Sequence, residues 1–150
     1  MYRLIPVLRI APLLLACAPM QARAVEINDM KGFEDLYGRY APKGDCKRKP
    51  QIVVDAGGMI FEIAAAKARV TNPEFAASYF GGATTYEGIS RVFFPFRTKP
   101  DYYPIMMTFN ADEKKGVLVI AGHEEGWKGG PPLTPRNQAL VSGSPYSKCK

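Results

Sequence analysis

The sequence predicts a strand-rich α+β domain: a small antiparallel sheet or half-open barrel with two or three short helices, closed by one disulfide. Three observations carry that prediction. Short runs of β-branched and aromatic residues alternate with glycine and proline pairs, as where Gln51-Ile52-Val53-Val54-Asp55 meets Ala56-Gly57-Gly58. Helix-start signals are few, and glycine or proline soon follows each. Two cysteines, Cys46 and Cys149, remain once an export signal is set aside.

The export signal occupies the N-terminus. Arg3 and Arg9 precede the apolar run Ile10 to Ala18, which is much shorter than the roughly 20 residues a bilayer span requires. Pro19 breaks that run, and Ala22-Arg23-Ala24 supplies a small-x-small cleavage pattern. Residues 1–24 therefore read as a secretory signal peptide and residues 25–150 as a single exported domain, with no transmembrane segment in the mature chain. A competing reading takes Leu14-Leu15-Ala16-Cys17, which resembles a bacterial lipobox; Cys17 would then become the lipidated first residue of a membrane-anchored lipoprotein. None of Asn28, Asn72, Asn110 and Asn137 sits in an Asn-x-Ser/Thr acceptor, which favours a bacterial periplasm over a eukaryotic secretory route.

Cleavage changes the charge. The formal +6 of the whole chain falls to +3 with the loss of Arg3, Arg9 and Arg23, which removes most of the support for nucleic-acid binding. In an oxidising compartment the remaining pair of cysteines reads as a disulfide. Closing a loop of about 100 residues is worth on the order of 4.7 kcal/mol in the chain-entropy model.

Taken in order, Asn28 and Asp29 are helix caps, and Met30, Phe33, Leu36 or Tyr37, and Tyr40 recur at three- or four-residue spacing, predicting a short first helix weakened by Gly32. Pro42, Gly44 and Pro50 make the basic segment between them a loop. Gln51 to Asp55 and Met59 to Ile63 form a hairpin, and the alternation of Ala64, Ala66, Ala68 and Val70 with Ala65, Lys67 and Arg69 continues the second strand, although the run of alanines also permits a helix. Asn72-Pro73-Glu74 predicts a second helix, stopped by Gly81-Gly82. Ile89 to Phe96 is a strand that Pro95 confines to an edge or an end. Ile105 to Phe109 and Val117 to Ala121 flank a polar loop and make a second hairpin. Thr134-Pro135 caps a short helix through Val141, and the chain returns to Cys149.

No motif specifies a reaction. The predicted bridge brings Lys43, Lys47, Arg48 and Lys49 beside Lys148 and Lys150, a basic corner suited to phosphate, sulfate or an acidic protein surface, or else a solvated face. Trp127, in a glycine-proline loop, is a candidate anchor for a sugar ring or a partner pocket, or else a cover for the core. His123 with Glu124 and Glu125 is a candidate general base, but it lacks the second histidine of a zinc-protease helix. No Gly-x-Ser-x-Gly elbow or phosphate-binding loop is present. The aromatics between residues 79 and 103 read as core and rim more readily than as a ligand cavity.

The expectation is a non-catalytic periplasmic or envelope binding protein, with no metal or cofactor, that engages an envelope protein or anionic polymer through the basic corner. An inhibitor of an envelope hydrolase is one form of it. The alternatives are a small enzyme using His123 with Glu124 or Glu125, and a structural lipoprotein anchored at Cys17.

Overall fold

The structure, a computed structural model, describes residues 24–76, 87–98, 102–122 and 132–150. The signal-peptide and Cys17 readings lie outside these residues. Ten strands build one antiparallel sheet: β1 (Val25–Glu26), β2 (Gly38–Pro42), β3 (Gln51–Asp55), β4 (Gly58–Ile63), β5 (Ala66–Val70), β6 (Glu74–Ala76), β7 (Arg91–Phe94), β8 (Ile105–Phe109), β9 (Val117–Gly122) and β10 (Tyr146–Lys148). Their spatial order is β1-β6-β7-β8-β9-β10-β2-β3-β4-β5.

The sheet is coiled into a half-barrel because its two ends are tied together. β5 at one end runs into β6 near the other through Thr71, Asn72 and Pro73 alone. Ile27 N donates to Pro73 O at 3.1 Å, and Asn72 Nδ2 donates to Glu26 Oε1 at 2.7 Å. Period-two patterning fills the inside: Tyr40, Ile52 and Phe61 stand in one cross-strand row, and Phe93, Met107 and Ile120 in another. All six are buried in one continuous core with Met30, Leu36, Phe109, Leu118, Leu140 and Tyr146. T-shaped ring contacts such as Tyr40–Phe109 and Phe93–Phe109, at 5.3 and 5.7 Å between centroids, lock the rows against each other.

Both predicted hairpins form. At the first turn Asp55 Oδ1 accepts from Gly57 N at 2.9 Å, and Gly58 takes φ +127° with its Cα against the Val70 carbonyl. A Cβ there would stand 2.1 Å from that oxygen, so only glycine fits. At the second, buried Asn110 adopts the left-handed conformation, and its side chain accepts from Gly116 N and donates to Ile89 O. Glu113 receives the N–H groups of Ile89 and Glu87; the Ile89 bond is the largest reason that its carboxyl titrates below its ordinary range. Pro95 follows the last residue of β7, at a strand end as its missing N–H requires.

Fewer helices form among the described residues than the two or three expected. One α-helix is present among the described residues, α1 (Pro135–Ser142), capped by Thr134 Oγ1 accepting from Asn137 N as its sequence predicts. The expected first helix is instead a single 3₁₀ turn, Glu34–Leu36, followed by β2. Met30 and Leu36 are buried as their spacing implied, but Gly32 and Gly38 at φ +86° and +143° carry the chain out of helical geometry. The expected helix after Asn72-Pro73 begins as strand β6, whose Glu74 carboxylate accepts from Tyr103 Oη and Arg97. Tertiary partners outweigh the local capping signal there. β4 does not continue through the alanines either; Ala64 turns at φ +49° and β5 folds back on β4. No helix among the described residues is long and apolar enough to cross a membrane.

Candidate functional site

The Cys46–Cys149 bridge is present, with Cα atoms 6.0 Å apart, and it fixes the basic loop between β2 and β3. Local bonds define the loop. Gly44 N donates to Ala41 O, Arg48 N to Asp45 O, and Asp45 Oδ1 receives Lys47 N at 3.1 Å. Lys43 N donates to Pro145 O at 3.3 Å and Cys149 N to Arg39 O at 2.7 Å, stitching the loop to β10 and its approach.

Beneath the loop lies Gln51, 3% exposed, which donates from Nε2 to the carbonyls of Cys46 at 2.6 Å and Arg48 at 2.9 Å. Its Oε1 accepts from Arg39 Nη1. One buried amide thus satisfies loop backbone that would otherwise carry unpaired acceptors.

Glu62 opposes Gln51 across β3 and β4 and gathers cations. Its carboxylate accepts from Lys49 Nζ and from Arg39 Nη1, the latter at 3.1 Å, and Lys67 Nζ stands 3.7 Å away. The Lys49 hydrogen bond foremost, then that of Arg39, hold this carboxyl at about 2 against its ordinary 4.5, overcoming the opposing effect of burial. One carboxylate therefore serves three cations, and the face stays net positive.

Above the loop is an open recess of about 320 Å³. Pro42, Lys43, Arg48, Lys49 and Pro50 line one side, and Ala139, Ser142, Gly143, Ser144 and Pro145 the other, where α1 ends. The helix C-terminus contributes roughly half a negative charge to this wall. Lys43, Arg48 and Lys49 outweigh it, and among the described residues no carboxylate stands within 4 Å of the Lys43 or Arg48 head groups. Among the described residues, the lining offers cations and hydroxyls to an anion and includes no carboxylate or imidazole.

The predicted corner is thus drawn together in part. Lys43, Arg48 and Lys49 line the recess, although Lys49 is also committed to Glu62. Lys47 is exposed on the same loop but outside the lining. Lys148 turns away to donate to Asp35 O at 3.1 Å, and Lys150 is exposed at the chain end. Trp127, His123, Glu124 and Glu125 lie outside the described residues. Sequence reasoning missed Arg39, Gln51 and Glu62 as supports of the site. Period-two alternation places Arg39 opposite in phase to core residue Tyr40, but joining it to Gln51 and Glu62 requires the register of three strands.

Among the described residues no group of three histidine, cysteine or carboxylate side chains is arranged to hold a metal ion. No protein-family model, curated protein or solved structure matches the chain.

Proposed function

We propose that this is a non-catalytic binding protein of the bacterial periplasm or envelope, whose ligand is an anionic partner held at the recess beside Cys46–Cys149. The partner is an acidic protein surface or an anionic polymer, and inhibition of an envelope hydrolase is one form the activity takes. The observation that carries this reading is the pairing of a preorganised loop with two cations, Lys43 and Arg48, that have no carboxylate partner among the described residues. The bridge, Gln51 and the backbone bonds at Lys43 and Cys149 hold the loop before any ligand arrives. A rigid cationic site loses little further freedom on binding.

The test is affinity capture from a cell-envelope extract by oxidised residues 25–150, beside the double variant Lys43→Glu/Arg48→Glu, at low and high salt. Both substitutions lie outside the Glu62 cluster, so the fold is expected to survive, as thermal unfolding would verify. A partner retained at low salt by the unaltered domain, and lost from the variant, is the expected result. Equal retention by both at equal stability would overturn the proposal.

A further inference from the structure

β5 ends the sheet, and the backbone edge it turns away from β4 has no partner strand among the described residues. Its register shows what that edge presents. Phe61 faces the core and pairs with Ala68, and Ile63 pairs with Ala66, so both alanines point to the core side of the sheet. Yet both are exposed. Against them runs a mainly apolar trough of about 330 Å³, walled by Phe61, Ile63, Pro135 and Arg136 and bordered along β5 by Lys67. The Arg136 guanidinium, 3.8 Å over the Phe96 ring, lines the same trough.

The opposite face of β5 carries Lys67 and Arg69. Arg69 is forked onto Asp55 at 2.7 and 2.8 Å, whereas Lys67 shares Glu62 with Lys49 and Arg39. A strand laid along β5 would therefore meet small apolar surface on one side and excess positive charge on the other. A second copy of the chain fits poorly. Antiparallel β5–β5 pairing about Ala68 would set Lys67 opposite Arg69 of the other copy, and like charges directly opposed are destabilising.

We infer that β5 accepts an extended segment of a partner protein whose side chains alternate between apolar and acidic. Main-chain bonds would extend the sheet, the apolar side chains would enter the trough over Ala66 and Ala68, and the acidic ones would face Lys67 and Arg69. This surface is separate from the basic recess and does not depend on it.

The test uses the oxidised domain and two capped heptapeptides, one alternating valine with glutamate and one alternating valine with lysine, followed by amide chemical shifts and hydrogen exchange. The valine-glutamate peptide is expected to shift the amides of Ala66 to Val70 and slow their exchange, with little effect at Lys43 to Arg48. Lys67→Glu is expected to weaken that peptide by about five- to tenfold and to favour the valine-lysine peptide, as for a directly opposed charge pair. Ala68→Asp, placed on an exposed position, should abolish binding of either peptide while leaving the fold intact. Failure of the valine-glutamate peptide to perturb β5, perturbation centred on the recess, or unchanged affinity in Lys67→Glu would each overturn the inference.

Discussion

Replacing Glu62 with glutamine isolates the electrostatic centre under the basic loop. The side chain keeps its shape and one acceptor oxygen but loses the charge that attracts Arg39, Lys49 and Lys67. Folding moves the carboxyl from 4.5 to about 2, and at about 1.4 kcal/mol per pH unit the ceiling on its contribution is between about 3 and 4 kcal/mol. Solvent lowers that ceiling, because the Arg39 and Lys49 side chains are 40% and 39% exposed while Glu62 itself is 15% exposed. The expected loss for Glu62→Gln at neutral pH is therefore about 1–2 kcal/mol. Because the folded-state value is depressed, the contribution is fully present above the unfolded value of 4.5 and fades as pH falls towards about 2. Urea unfolding of the oxidised domain, repeated from neutral pH down to about pH 3, should show the gap between native and variant shrinking over the acid part of the range. A gap that is constant across the series, or absent at neutral pH, would refute the assignment of Glu62 as the ion-paired hub.

Gly58→Ala would drive a methyl group to 2.1 Å from the Val70 carbonyl at φ +127°. It should cost at least about 2 kcal/mol in the same assay, and a loss below about 0.5 kcal/mol would contradict the close approach of β4 to β5. Cys149→Ser opens a loop of 103 residues and should destabilise the domain by roughly 4 kcal/mol, with faster amide exchange at Lys47 and Arg48; unchanged urea stability would count against the bridge as the principal tether.

The sequence was most legible where one local signal agreed with its surroundings. Gln51 to Ile63 reads as a hairpin because β-branched runs flank a glycine pair, and Thr134-Pro135 reads as a helix start because cap and proline coincide. The bridge was legible from cysteine parity once the export-signal reading had set Cys17 aside. Met30, Phe33, Leu36 and Tyr40 misled because helical spacing reports burial, and an irregular segment bent at Gly32 can bury the same residues. Asn72-Pro73-Glu74 misled because the acid that resembled a first-turn residue is spent on Tyr103 and Arg97. At the candidate site, the charges were visible and their partners were not. Lys49 looked equivalent to Lys47 and Arg48 until the pairing of β3 with β4 brought Glu62 beneath it.

β10 lies between β9 and β2, and it is the one strand joining β6–β9 to β2–β5 within the sheet. Two sub-sheets made from earlier parts of the chain therefore become continuous only when Tyr146, Ser147 and Lys148 slot between them. Cys149 follows immediately, and its approach to Cys46 depends on that insertion. The bridge therefore acts as a latch on the joint: with Cys149 bonded to Cys46, the strand that makes the two sub-sheets continuous is tethered to the loop that follows β2 and cannot slip far from its slot.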